Sequence, residues 1–282
     1  MILLPLVAGI ALQVLTQPVS GGLEISGAYI YCTIPLPFQE LPITESQVNS
    51  WLVMVSVLGL CLYLTHGLAP KAQTRRQLAA EWIVEKADGL VRQNMGEYFK
   101  GFAPFIAAIL ALSAFSSLLS LIGLYPPTSD LNVVGGWALL VFFLITFYRF
   151  KAGPVQYLKA FADPPLLAPL NVISEVATPV SMAFRHYGNV LSGSIISALV
   201  ATALQGLSAI VLGWLPGVLG QFPLLQIGLP AILSVYFDLF SGYLQAFIFA
   251  MLTMLYVAGA FPADVYAQRQ ARKQRKTQPH TN

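Results

Sequence analysis

The sequence predicts an all-α membrane protein with about five transmembrane helices, an interfacial amphipathic helix, and a long, tilted membrane hairpin formed by the last two crossings. Of its 282 residues, 56% are hydrophobic and only 10% are charged, whereas a soluble domain has about 25% charged residues. Long stretches without Asp, Glu, Lys or Arg can each hold a helix of about 20 apolar residues. These stretches are 46–70, 101–129, 131–148, 186–237 and 239–263.

The uncharged stretches are expected to be helical, because backbone groups in lipid must be hydrogen-bonded within the protein. The alternating segments of about ten residues that build a membrane barrel are absent. Without internal repeats or low-complexity linkers, residues 1–282 are interpreted as one polytopic domain. Residues 1–15 are apolar and lack the basic residue of a usual signal peptide. Whether they form a short membrane helix stays open at this point.

Basic residues determine the predicted topology, because those in short loops mark the cytoplasmic side. Fourteen of the fifteen Lys and Arg residues fall in three groups, at 71–100, 149–159 and 269–276. One threading places all three groups in the cytoplasm. Its crossings lie at about 48–68, 101–124, 131–148, 168–205 and 226–260. Residues 1–47 and the turn 125–130 then lie outside, and the basic tail 265–282 lies inside.

The cytoplasmic loop 71–100 mixes charges with apolar residues such as Leu78, Trp82 and Phe99. This pattern predicts an amphipathic helix lying along the membrane surface; the alternative is a soluble helical hairpin. A run of Gly and Pro residues from Gly213 to Pro223 is interpreted as the outer turn between the last two crossings.

Arg185 is the most informative of three charged residues at membrane depth, the others being Glu175 and Asp238. A charge there costs roughly 2.5–3.5 kcal/mol or more, so each is a candidate functional residue. Arginine keeps its proton in proteins, so Arg185 cannot relay protons but can attract a carboxylate and repel a passing cation. The alternative is an arginine that pairs with Glu175 or Asp238 only to hold helices together. Helical spacing places small and polar residues on or beside its stripe: Ser181, Gly188, Asn189 and Ser192.

Asp238 and Gln245 are seven residues apart, or two turns along one helix face. A buried carboxylate without a fixed cation can relay protons; the alternative is a hydrogen bond or ion pair between helices. Glu175 lies near the cytoplasmic end of the arginine helix, where it lines an inner aqueous cavity or merely marks the start of the helix. His186 is interpreted as a packing or hydrogen-bonding residue rather than a ligand.

No phosphate-binding loop, metal-ligand cluster or nucleophile elbow occurs in the sequence. We therefore expect no catalytic residue, no metal site and no cofactor. The basic segment 269–276 lacks the aromatic residues of a nucleic-acid site and is interpreted as an anchor on the membrane surface. Cys32 and Cys61 match neither a disulfide framework nor a metal site.

Four motifs, within residues 43–256, resemble subunit a of prokaryotic F-type ATP synthases. The most specific, Pro179-Val-Ser-Met-Ala-Phe-Arg185-His-Tyr-Gly-Asn189-Val-Leu-Ser-Gly193, resembles the arginine helix of that family. The others are Ile43-Thr-Glu-Ser46, Leu121-Ile-Gly-Leu-Tyr-Pro126, and Leu244-Gln245-Ala-Phe-Ile-Phe with Leu252, Thr253 and Tyr256.

The resemblance implies a non-catalytic, ion-translocating subunit of the bacterial inner membrane, with the c-subunit ring, peripheral-stalk b subunits and lipid as partners. Arg185 would face the rotating ring and separate an outer from an inner aqueous half-channel. Asn189 and Gln245 would line the contact near Arg185. Asp238 would belong to the outer half-channel and Glu175 to the inner one. The proton is the expected ion, although these residues do not distinguish H⁺ from Na⁺.

The chain departs from the family pattern at His186, where Leu is common, and at Thr178, where Lys is common. Ser194 stands where many relatives carry an acidic residue or His, which leaves Asp238 to carry the outer half-channel alone. Two other functions remain open: a transporter whose Arg185 binds an anionic substrate, and a purely structural membrane subunit. The absence of an inverted repeat disfavours the transporter.

The predicted topology can be checked by labelling cysteines from either side of sealed membrane vesicles. We expect native Cys32, in a Cys61→Ser background, to react with an impermeant maleimide from the outside. A cysteine at Gln278, with both native cysteines replaced by serine, is expected to react only from the cytoplasmic side. Reaction of the Gln278→Cys tail from the outside would refute the threading.

Overall fold

The computed structural model describes residues 4–16, 27–35, 37, 40–69, 74–162, 165–212, 228–261 and 267. Within these ranges the chain forms nine α-helices and a two-stranded hairpin. The helices are α1 (Leu4–Thr16), α2 (Glu45–Thr65), α3 (Arg75–Met95), α4 (Ala103–Leu118), α5 (Leu131–Ala152), α6 (Pro154–Ala162), α7 (Ala168–Leu212), α8 (Leu229–Ser234) and α9 (Gly242–Ala260). The strands are β1 (Ile30–Ile34) and β2 (Leu41–Thr44).

Five helical stretches of the described chain are long and apolar enough to cross a bilayer, with mean hydropathies between 1.6 and 2.3. They are Glu45–Thr65, Glu97–Ile122, Leu131–Ala152, Ala168–Leu212 and Leu229–Ala260. The prediction of an all-α membrane protein with about five crossings is therefore confirmed. The additional helix α1 has 13 residues, and its length of about 20 Å is less than the roughly 30 Å of a bilayer core.

The last two crossings are the longest, as predicted. α7 has 45 residues, which corresponds to a length of about 68 Å. Because a bilayer core is roughly 30 Å thick, α7 either tilts steeply within it or extends beyond it. The final crossing joins α8 to α9 through a π-helical turn, Val235–Ser241. α7 ends at Leu212 rather than near residue 205, and the predicted outer turn between Gly213 and Pro223 lies outside the described residues.

One compact unit, hereafter the first unit, comprises residues 1–63, 111–134 and 184–247. Its apolar core contains Val53, Leu119 and Leu124, with Leu6 of α1 packed against them. α1 approaches closely at Gly9, where a Cβ atom would lie only 2.6 Å from Cδ1 of Leu52. Residues 4–16 therefore belong to the packed structure, which the sequence left open.

The start of α2 lies in a buried polar network within the first unit. Ser46 donates a hydrogen bond to Asp130, and Asn49 Nδ2 donates to the carbonyl oxygen of Tyr125 at 2.9 Å. The Glu45, Ser46 and Asn49 side chains are nearly fully buried. The β1–β2 hairpin, which the sequence pattern did not predict, leads directly into this network.

The second unit comprises residues 64–110, 135–183 and 248–282. An aromatic cluster connects the segment after α3 to α5 and to the residue after α9. Tyr98 stacks on Phe261 with ring centroids 4.5 Å apart, and the ring centroids of Phe99 and Tyr148 lie 5.1 Å apart. Gly96 ends α3 with a φ of 78°, a left-handed conformation that favours glycine. The predicted amphipathic helix is present as α3, while its position on the membrane surface stays a prediction.

Candidate functional site

The arginine helix α7 presents two contrasting faces around Arg185. Met182, Ala183 and His186 are buried, whereas Ser181, Arg185 and Ser192 are exposed and Gly188 is half-buried. Large apolar side chains flank the exposed stripe, including Phe184 at 55% and Leu199 at 52% exposure. The predicted small, polar stripe thus lies on an open surface of the chain.

Arg185 makes no ion pair with any residue that the structure describes. Both carboxylates considered as its partners are engaged elsewhere. Glu175 pairs with Arg149, and Asp238 accepts a hydrogen bond from Ser234 Oγ. An arginine that serves only to hold helices together is therefore not what the geometry supports. An unneutralised guanidinium facing lipid would be costly, so this face requires a polar cover at membrane depth.

His186 lies on the buried side of α7. It is fully buried, and its Nε2 atom lies 3.2 Å from Ser113 Oγ on α4. This agrees with its interpretation as a hydrogen-bonding residue. The role of Ser113 was not predicted, although its spacing with Ser116 and Ser117 is the small-residue signal of a close helix contact. The pair sets the rotation of α7 that leaves Arg185 exposed.

Asn189 connects α7 to the π-helical turn rather than to the open stripe. Its Nδ2 atom donates to Ser241 Oγ at 2.9 Å, and the Ser241 hydroxyl lies 3.0 Å from Asn189 Oδ1. One turn further along α7, a Cβ on Gly193 would lie 3.0 Å from Phe237, so the two helices touch there. Asn189 therefore lies beside Arg185 in sequence while its amide is held by the last crossing.

Asp238 lies in the π-helical turn and is half-buried. Its neighbour Phe237 contacts Gly193, which directly precedes Ser194 on α7. Gln245 is 6% exposed. A π turn has a hydrogen-bonding pattern wider by one residue than an α turn, so Asp238 and Gln245 are not in the strict two-turn register predicted for them. Their distances to Arg185 stay a prediction.

Glu175 belongs to a separate polar cluster in the second unit. Arg149 of α5 pairs with its Oε2 atom, and the Tyr157 hydroxyl of α6 donates to Oε1 at 3.2 Å. Burial, followed by the negative charge of Glu175, raises the pKa of Tyr157, so its hydroxyl remains a donor. The sequence did not predict this cluster because α6 was not predicted. Pro179 leaves the Glu175 carbonyl without its helical N–H partner.

No group of three or more His, Cys, Asp or Glu residues in the described part of the chain is arranged to hold a metal ion. The candidate site thus consists of one permanent cation on an open helix face, with the hydroxyl groups of Ser181 and Ser192 on the same stripe. Such an arrangement can attract an anion and repel a cation.

Comparison with known proteins adds independent information. The family profile described as "ATP synthase A chain" matches residues 47–258. The chain is 33% identical over 215 residues to "ATP synthase subunit a" of Sulfurihydrogenibium sp., covering 74% of this chain and 92% of that relative. It is 28% identical over 226 residues to "ATP synthase subunit a" of Legionella pneumophila, covering 79% and 89%. It is 28% identical over 245 residues to "ATP synthase subunit a, sodium ion specific" of Propionigenium modestum, covering 80% and 77%.

The close contact between α4 and α9 gives a test of the packing that holds this region. A Cβ on Gly242 would lie 2.6 Å from Ser117 Cβ, so we expect Gly242→Ala to destabilise the subunit by roughly 1–3 kcal/mol. Gly259→Ala on the same helix is the matched control, because nothing lies within 4 Å of its Cβ position. Thermal unfolding of purified variants in detergent measures the difference. Adding Ser117→Gly should restore much of the lost stability, and equal melting of both single variants would contradict the contact.

Proposed function

This chain belongs to the ATP synthase A chain family, whose members translocate ions in the membrane sector, and from that premise we propose that Arg185 separates two half-channels at a rotating ring of c subunits. The observation that carries the proposal is the exposed guanidinium on α7, which pairs with no carboxylate in the described ranges of the chain. A ring of small subunits with one carboxylate each supplies the polar cover that this face requires.

Arg185 acts through a charge that does not titrate. It attracts the ring carboxylate in its ionised form and so favours release of the bound ion as each subunit passes. It also repels a cation that would cross directly between the half-channels. An ion crossing a potential of 100 mV releases roughly 2.3 kcal/mol, and an unbroken pore would dissipate that energy. Because the path is interrupted, the ion has to travel on the ring, and rotation is coupled to ion flow.

The outer half-channel is assigned to Asp238. The Phe237–Gly193 contact supports this role, because it brings the backbone beside Asp238 close to the backbone beside Ser194, where relatives usually carry a second titratable group. Gln245 and Asn189 are assigned to the contact near Arg185. The Asn189–Ser241 hydrogen bonds support a structural role for Asn189 at this contact, since they connect the arginine helix to the last crossing.

The inner half-channel is assigned to Glu175. Its pair with Arg149 and its hydrogen bond from Tyr157 support this role, because they hold the carboxylate in place toward the start of α7. The proton is taken as the translocated ion, and the half-channels themselves are compatible with either ion. The peripheral-stalk b subunits complete the set of proposed partners. The location proposed is the bacterial inner membrane with a cytoplasmic C-terminus.

The arginine is tested by Arg185→Ala in vesicles that carry the assembled ATP synthase. We expect gradient-driven ATP synthesis to fall to background while the complex still assembles, because the cation that keeps the half-channels apart is lost. Arg185→Lys should lose most of the activity as well, since lysine lacks the planar fork and can lose its proton when buried. Lys159→Ala, which removes a cation far along the chain, serves as control. Near-normal synthesis by Arg185→Ala vesicles would falsify the proposed mechanism.

Asp238→Asn tests the outer half-channel, because asparagine keeps the shape of the side chain and can still accept the Ser234 hydrogen bond but does not titrate. We expect ion translocation to slow by at least about tenfold, which is the lower end of what a lost proton-transfer group costs. Adding Ser194→Glu should recover part of the flux by supplying a carboxylate on the facing helix. Proton uptake by vesicles during ATP hydrolysis gives the rate. A wild-type rate in Asp238→Asn vesicles would show that the residue serves packing alone.

A further inference from the structure

A groove runs along one face of α3 in the second unit. Its volume is about 670 Å³, and it lies between α3 and the residues that follow α2. Gln77 holds its walls together, since its Nε2 atom donates to the Ala69 carbonyl at 2.7 Å and to Glu81 Oε1 at 2.8 Å. The groove is therefore a formed feature of the second unit.

The groove combines apolar walls with three carboxylates. Leu68 and Val84 supply apolar surface. Glu81, Glu85 and Asp88 also line the groove, and their spacing of four and then three residues places them on one helical stripe. None of these three carboxylates makes an ion pair with a described residue. Arg92 is the one basic residue among the described lining residues, and the three carboxylates outnumber it. The lining therefore carries a net negative charge and fits an occupant with several positive charges.

Before the basic C-terminal segment, the chain is anchored just beyond the end of α3. Phe261 is buried and stacks on Tyr98, three residues beyond the end of α3. Of the fifteen Lys and Arg residues, five lie in the segment 269–276. Eleven residues separate Phe261 from Arg272, enough to span roughly 36–40 Å when extended. Glu81 lies about 26 Å back along α3 from Tyr98 at 1.5 Å per residue, so the tail reaches all three carboxylates.

We propose that the basic segment 269–276 docks in the acidic groove of α3, with its Lys and Arg side chains paired to Glu81, Glu85 and Asp88. The tether raises the effective concentration of the segment to the millimolar range, so individually weak ion pairs are enough to hold it. In the docked state the tail binds to its own chain rather than to the membrane surface. Leu78 and Trp82 are exposed on α3 and do not line the groove, so they stay free to meet lipid.

Cysteine cross-linking in membranes containing the assembled ATP synthase tests the docking. With Cys32 and Cys61 replaced by serine, Gly89→Cys on the groove is combined with Gln274→Cys in the tail. Gly89 lines the groove, and no atom lies within 4 Å of its Cβ position. The matched control is Asn94→Cys with Gln274→Cys, because Asn94 is exposed, does not line the groove, and lies about 140° around the helix from Gly89 while being closer to the start of the tail. We expect a short bismaleimide to link the Gly89→Cys pair preferentially, as read by mass spectrometry of the joined peptides.

Charge substitution separates docking from mere proximity. Neutralising the groove with Glu81→Gln, Glu85→Gln and Asp88→Asn should lower the cross-linked fraction about tenfold, the combined effect of three exposed ion pairs. Salt at 1 M, which screens charges beyond about 3 Å, should give a similar fall without any substitution. The proposal is overturned by equal yields at Gly89 and Asn94, by yields that do not change with charge or salt, or by a tail cysteine that is cross-linked to another subunit instead.

Discussion

A permanent positive charge has to be held at membrane depth on an open helix face, and much of the first unit is arranged around this constraint. The rotation of α7 decides which way Arg185 points, and the described contacts fix that rotation on its other sides. His186 meets Ser113 on one side, while Asn189 meets Ser241 and Gly193 meets Phe237 on another. Arg185 itself has no described ionic partner, and this makes it available to an external one.

The two carboxylates at membrane depth, Glu175 and Asp238, have partners other than Arg185. Glu175 is held by Arg149 and Tyr157, and Asp238 is held by Ser234. In a low dielectric these contacts would be costly to break. If either acid had paired with Arg185 instead, the guanidinium would have been neutralised within the chain. The distribution of partners therefore keeps the cation free at the exposed stripe.

The sequence predicted the parts of this arrangement that follow from hydropathy and spacing. Uncharged stretches located all five long crossings, and the isolated position of Arg185 among small residues identified the exposed stripe. The partners could not be predicted, because a helical period gives the direction of a side chain but not the element opposite it. Thus Ser113 opposite His186 and Arg149 opposite Glu175 emerged only from the packing. The π-helical turn was also not predicted, because one extra residue in a turn does not change a continuously apolar pattern. The β1–β2 hairpin was not predicted because its strands are too short to show an alternating pattern.

The π-helical turn between α8 and α9 also bears on how this region tolerates change in length. A π turn contains one residue more than an α turn, so the loss of that residue would convert it into regular α-helix. Everything on its N-terminal side would then rotate by about 100° relative to α9. Asp238 would swing to a different side of the crossing, while Gln245 would keep its setting. A single-residue deletion here thus re-aims one carboxylate without disturbing the packed helix that follows.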